Sequence, residues 1–206
     1  MSSHRLEAAT TARRWLEQGA LFLDTETTGL HAGAEIVEIT LIDSLGAPVL
    51  DTLVRPERPI PPALTRIHGI DNSMVADAPR WPEIHEQLLD VIEGRPVVVY
   101  NAEFDLRMLT LVARQHTLPW PDVVRRSGSW TRLENDTVIH CAMREYARFR
   151  GEWDDRRGDW RWQKLGNAAR QLGIEVIGTH RALADCRTTL AVVRAMAEGA
   201  EAPRSQ

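Results

Sequence analysis

The chain has 206 residues, 43% of them hydrophobic, enough to bury one sizeable core and too few to demand a second domain. A net charge of −4 argues against a simple polybasic nucleic-acid binder, although carboxylates gathered for divalent cations make the total a poor guide. No apolar run approaches the roughly 18 residues of a membrane span. Cys141 and Cys186 lack a disulfide-like spacing and no charged-then-apolar leader opens the chain, so both are expected reduced in a soluble cytoplasmic protein.

In chain order, Arg5 to Gln18 carries helical spacing with Gly19 as its stop, and Ala20 to Thr25, Glu35 to Asp43 and Pro48 to Val54 are β-rich. Ser44 to Ala47 reads as a hairpin turn, giving an antiparallel meander. A connection rich in proline (Pro56, Pro59, Pro61, Pro62) leads to Leu64–Ile70, then to an amphipathic helix from about Pro79 to Ile92. Val97 to Tyr100 is continuously apolar, as a strand buried on both faces would be, and a helix over 102–116 follows.

Residues 118–162 are the least regular stretch, with a strand expected near Glu134–Ile139, a helix near Cys141–Phe149 and a Gly/Asp/Arg loop at 150–159. Helices near Gln163–Leu172 and Ala182–Ala197 precede a frayed tail at 200–206. Between Cys141 and Arg170, seven arginines and Lys164 stand against five carboxylates, which fits either a solvated face or a phosphate-tracking surface. Lys164 is the chain's only lysine among 25 basic residues, a bias suited to bidentate phosphate contacts or to genomic habit. Trp153, Trp160 and Trp162 interleave with Arg156, Arg157 and Arg161 and could stack on splayed bases; Trp162, before a polar helix start, reads better as a core plug.

Chemistry concentrates in three short stretches. In Leu21-Phe-Leu-Asp-Thr-Glu-Thr-Thr-Gly-Leu30, Asp24 and Glu26 leave the same face of a strand, about 6.6 Å apart. Two carboxylates converging at a strand end suit magnesium or manganese better than zinc. In Asn101-Ala-Glu-Phe-Asp105, the carboxylate lies in the first turn of a helix for which Asn101 is a good N-cap, and alone it would read as a helix-dipole residue. If the Val97 strand runs parallel beside the Leu21 strand, both motifs meet at the carboxyl ends of neighbouring strands. In His180-Arg-Ala-Leu-Ala-Asp185, one helix holding both residues would turn them about 140° apart. The Gly178-Thr179 approach places His180 on the preceding loop instead, with Asp185 in the second turn.

Jointly, in this order on strand, strand-to-helix and helix, these motifs resemble the DEDDh exonucleases, the DnaQ-like 3′-to-5′ family that includes polymerase proofreading subunits, over roughly residues 20–197. The resemblance implies an α/β, ribonuclease H-like fold with a mixed five-stranded sheet flanked by helices. It implies two divalent ions, Mg²⁺ or Mn²⁺: Asp24 bridging both, Glu26 and Asp185 completing the site of the attacking water, Asp105 supporting the second ion directly or through water, and His180 as general base. Leu30 matches a position that wedges against the terminal base. Thr27, Ile67, His68 and Asn101 are further substrate-side candidates, although a turn accounts for His68 and capping for Asn101. Cys186 stands where such sequences commonly carry alanine.

The expected substrate is DNA, single-stranded or with frayed ends, cut from the 3′ end to 5′-mononucleotides. An RNA-trimming or oligoribonucleotide exonuclease is the alternative, since nothing in the sequence reads a 2′-hydroxyl. A proofreading module bound to a DNA polymerase ranks below a free-standing monomer or homodimer, because few residues follow the last helix.

Overall fold

The computed structural model describes residues 2–178 and 180–199. Helix α1 (Ser3–Glu17) leads into β1 (Leu21–Thr27), β2 (Ile36–Ile42) and β3 (Pro48–Leu53), followed by α2 (Pro62–His68), α3 (Trp81–Ile92), β4 (Pro96–Val99) and α4 (Ala102–Gln115). Next come β5 (Val123–Arg126), β6 (Trp130–Leu133), β7 (Val138–Cys141), α5 (Ala142–Arg150), the short pair β8 (Trp153–Asp154) and β9 (Asp159–Trp160), α6 (Leu165–Gln171) and α7 (Ala182–Glu198).

The main sheet has seven strands in the order β3-β2-β1-β4-β7-β6-β5. The meander β1–β2–β3 is antiparallel, and β4 runs parallel to both β1 and β7, as the apolar Val97–Tyr100 segment predicts. Period-two alternation sorts the side chains. Leu21, Leu23, Val97 and Val99 pack with residues of α3 and α4 on one face, while Phe22 and Val98 pack with α1, α5 and α7 on the other. All seven residues of β2 are buried, because helices or loops cover both of its faces.

The extra hairpin β5–β6 corrects the five-strand expectation. Val123–Arg126 is fully exposed and Leu133 is the one buried residue of β6, so neither strand carries the alternation that would reveal it. The strand expected over Glu134–Ile139 begins later, at Val138, since Leu133 and Thr137 close a turn in which Asp136 adopts φ 62°. The segment expected as a loop at 150–159 is the β8–β9 hairpin, its Trp153 and Trp160 rings meeting edge-on at 5.1 Å. Trp162 is not a core plug. It is 45% exposed, with the Arg157 guanidinium 5.1 Å above its ring.

Both cysteines are free and buried, and among the described residues no helix is long and apolar enough to cross a membrane. The tail at 200–206 lies outside the described residues.

Helix α1 buries Ala8, Ala9, Ala12 and Trp15 against α5 and α7, the small residues permitting close approach. Trp15 is 1% exposed, yet its indole N–H has no partner among the described residues, which offsets part of its burial energy. Trp15→Ala is expected to lower unfolding free energy by about 3 kcal/mol, the low end for a buried tryptophan. Urea denaturation checks this, and a loss below about 1 kcal/mol would mean that α1 contributes little to the core.

Candidate active site

β1 outlasts its parallel neighbour. Pairing with β4 ends at Leu23 opposite Val99, after which the β4 chain turns into α4 and leaves the rest of β1 open on that side. Asp24 and Glu26 occupy this open end, on the α7 face of the sheet, as neighbours in parity of Phe22. Asp185 descends onto them from α7. That helix begins at Ala182, so Asp185 sits in its first turn, not its second. One oxygen from each of Asp24, Glu26 and Asp185 lies within 4.8 Å of the other two.

Asp105 stands beside this trio and outside it. It is buried on α4, and its Oδ1 accepts a 2.7 Å hydrogen bond from Thr25 Oγ1, on the opposite face of β1. Its charge nevertheless reaches the trio: after burial, Asp105 is the largest cause of the upward shift at Asp24, ahead of Asp185, Glu26 and Glu38. Burial also raises Asp105, to about 7, against the opposing Thr25 hydrogen bond. Glu26 rises from its ordinary 4.5 to about 8 through burial, then Asp185, Glu38 and Asp105, with Arg181 pulling the other way. Burial raises Asp185 as well, against the His180 charge and backbone. All four groups are thus poorly solvated carboxyls pressed together, an arrangement that favours protons or cations.

His180 is exposed and lies on the loop before α7, as expected; Thr179 falls outside the described residues. Its backbone is left-handed, φ 59°, a conformation that costs a non-glycine residue about 1–3 kcal/mol unless its surroundings enforce it. The enforcement comes from Glu38, a residue that motif reading missed. Glu38 is 4% exposed in the middle of β2, directly across from Glu26. Its carboxylate accepts from Arg181 Nη2 at 2.6 Å and Nε at 3.0 and 3.1 Å, and from the Ala182 N–H at 2.8 Å. It therefore caps α7 from another element and clamps the residue next to His180. The signal was available: a glutamate inside Ile36-Val37-Glu38-Ile39 requires a partner once that strand is buried.

The substrate-side candidates divide. Leu30 is 71% and Ile67 52% exposed, both free to meet a ligand. Asn101 is exposed and makes no side-chain capping bond, so capping does not account for it. Thr27 is buried, its hydroxyl bonded to the Gly29 carbonyl at 2.9 Å. The His68 ring is buried, its Nδ1 accepting from the Ile70 N–H at 3.1 Å, while its Nε2 has no partner among the described residues.

A family model described as Exonuclease matches residues 21–193. The chain belongs to the DnaQ-like exonucleases. This exonuclease is 43% identical over 199 residues to an uncharacterized exonuclease, CP81, of Escherichia phage 186, covering 93% of this chain and 94% of that one. It is 31% identical over 179 residues to exodeoxyribonuclease 10 of Escherichia coli strain K12, covering 83% of this chain and 65% of that protein. Among solved structures, exonuclease X in complex with 5′ overhanging duplex DNA superposes with a TM-score of 0.55 at 29% identity, covering 86% of this chain and 90% of that one. The fold is ribonuclease H-like, and the exonuclease is a phosphodiester hydrolase whose Asp24, Glu26 and Asp185 are consistent with a divalent-metal site.

Two consequences follow for stability. Because the folded Glu26 carboxyl titrates near 8 and the unfolded one near 4.5, the folded protein holds the extra proton. Its contribution is complete below the unfolded value and is lost as pH rises through the folded one. Without metal, wild type should lose melting temperature relative to Glu26→Gln between about pH 5 and about pH 8, and added magnesium should restore more at the upper end. A difference flat across that range in EDTA would refute the crowded-carboxylate account. Separately, Arg181→Ala strands the buried Glu38 carboxylate and should lower stability by about 1–3 kcal/mol, less than a fully buried pair because Arg181 is 43% exposed. Thermal melts of Arg181→Ala beside the Glu38→Gln/Arg181→Ala double variant check it, since the double variant should recover part of the loss.

Proposed function

We propose that the exonuclease removes 5′-mononucleotides from the 3′ end of DNA, single-stranded or frayed, using two divalent ions, Mg²⁺ or Mn²⁺. The observation that carries this reading is the trio Asp24, Glu26 and Asp185, three carboxylate oxygens within 4.8 Å of one another at the open end of β1. Such hard oxygen donors fit magnesium or manganese, with Asp105 joining directly or through water. When bound, the cations supply Lewis acidity and charge neutralisation at the scissile phosphate.

The chain's own residues do the rest. His180, on an exposed loop, accepts the proton of the attacking water as the new bond to phosphorus forms. The Glu38–Arg181 clamp holds that loop, so the imidazole and Asp185 keep their relative placement through substrate turnover. Leu30 and Ile67 offer apolar surface to the terminal base, and the uncommitted Asn101 amide can reach a substrate polar group. Thr27 supports the Leu30 turn from beneath through its bond to Gly29. A DNA substrate is supported by the similarity to exodeoxyribonuclease 10 and to the exonuclease X structure, which is a complex with duplex DNA. The two buried, unpaired thiols suit a reducing cytoplasm.

Matched DNA and RNA oligonucleotides, labelled at either end and incubated with magnesium, test the reading. Mononucleotides should appear from the DNA 3′ end in a metal-dependent manner, and His180→Ala should lower kcat about 10²- to 10⁴-fold while Asp24→Ala abolishes cleavage. Release from the 5′ end, retention of full rate by Asp24→Ala, or a strong RNA preference would overturn it.

A further inference from the structure

A second charged feature lies mostly on the opposite face of the sheet from the carboxylates. Between α4 and the β5–β6 hairpin runs a groove of about 640 Å³. Arg107 and Arg114 line it from α4, Arg126 and Trp130 from the hairpin, and Arg144 from α5 closes one end. Glu103 is the one carboxylate in its wall. Arg144 makes only long ion pairs, 3.9 Å to Glu103 and 3.7 Å to Asp159. Arg107, Arg114 and Arg126 have no carboxylate partner among the described residues. In a chain of net charge −4, guanidinium groups that line one groove without carboxylate partners make it locally positive and favour an anion there.

We infer that this groove binds the phosphate backbone of the uncleaved strand when the exonuclease meets a frayed duplex end. The inference rests on the reading of DNA 3′ ends as substrate and extends it to the second strand. Three observations assign the occupant. First, the spacing suits a polynucleotide: Arg107 and Arg114 lie seven residues apart on one helix, about 10.5 Å along its axis. Seven residues are close to two helical turns, so both guanidinium groups lie on one face of α4 and can engage separate phosphates of one strand. Planar guanidinium groups engage phosphate oxygens in pairs. Trp130, with the Arg125 guanidinium 5.5 Å over its ring, adds an aromatic surface on which a base can stack.

Second, the groove opens at the site's edge. The Arg107 Nη1 donates to the Leu30 carbonyl at 3.2 Å, and Ala32 of the same loop lines the groove. The exposed Leu30 therefore stands between carboxylates and arginines. Third, the two point apart: Asp24 and Glu26 leave β1 toward α7, whereas most of the groove lies on the α4 side, over Ile139 and Cys141, with Arg144 reaching in from α5. A strand ending at the carboxylates and a strand in the groove are divided by Leu30, as the two strands of an opened base pair would be.

The test uses Arg114→Glu/Arg126→Glu, two positions that among the described residues make no hydrogen bond or ion pair to the carboxylates or the Leu30 loop, and Arg114→Gln/Arg126→Gln as a milder pair. One labelled strand is presented alone or annealed to a longer complement that leaves its 3′ end recessed. The charge-reversed variant should keep single-strand kcat/KM within about twofold and lose at least about tenfold on the recessed end, the glutamine pair falling between. By fluorescence anisotropy, the salt dependence of duplex binding should become shallower by about 1.8 in log–log slope for the glutamine pair, about 0.9 for each phosphate contact removed. Equal losses on both substrates would put the cleaved strand in the groove, and an unchanged recessed-end rate would mean the groove holds no DNA; either overturns the inference. If wild type cut neither DNA, the substrate reading itself would fall, and a duplex affinity unaffected by the substitutions would still overturn the groove assignment separately.

Discussion

Crowding of carboxylates at the open end of β1 is the constraint around which the rest is arranged. Asp24, Glu26 and Asp185 converge within 4.8 Å, and Asp105 adds its charge from the next element. No acidic partner relieves another, so the metal-free fold must hold protons or tolerate repulsion. The scaffold supplies the tolerance. β1 is locked between β2 and β4, and its Phe22 and Leu23 are buried in opposite cores, which fixes the strand that aims Asp24 and Glu26 before any cation arrives. A preorganised ligand set has this character: the unfavourable electrostatics are held by packing elsewhere and relieved on binding.

Glu38 shows the opposite solution to the same problem on the neighbouring strand. It faces Glu26 across the antiparallel pair, yet its charge is satisfied wholly within the protein by Arg181 and the Ala182 N–H. Replacing the whole pair by well-packed apolar groups need not destabilise the fold as such. What it would remove is a register device, because the clamp fixes where α7 starts and hence where Asp185 points. It also holds His180 in a left-handed backbone that a non-glycine residue avoids when free. The placement of His180 and Asp185 thus depends on one ion pair, buried on the Glu38 side and half-exposed at Arg181.

Much of this was legible in the sequence. Strands with alternating or continuous apolar runs, β1 to β4, and helices with a clear stripe, such as α3 and α4, lie within a few residues of their expected bounds. Asp24, Glu26, Asp105 and His180 sit where their local patterns put them, on strand end, helix start and loop, while Asp185 lies one turn nearer the start of α7. What escaped was decided by tertiary partners. β5 and β6 pair through backbone hydrogen bonds with almost no buried face, so composition carried no trace of them. His68 reads in sequence as a turn or substrate-side residue, and only the tertiary fold makes it buried, at 2% exposure. Asn101 looked like a cap, but its backbone, at φ −114° and ψ 71°, makes no side-chain capping bond. Glu38 was visible as an anomaly without its explanation, since Arg181 lies 143 residues away.

The basic composition gains meaning from the same contrast. With Lys164 the only lysine, nearly every cation is a planar guanidinium, and the structure deploys this group in two ways. At Arg181 the fork closes on a buried carboxylate and stiffens the site. Along α4 and the β5–β6 hairpin the forks stay open, facing a groove with a single glutamate. A chain with an overall negative charge can therefore present a locally cationic groove, because Arg107, Arg114, Arg126 and Arg144 gather there against one glutamate. The sheet separates the two charged surfaces, this groove and the carboxylate site, in space, and across solvent salt screens their mutual cancellation beyond a Debye length, about 8–10 Å.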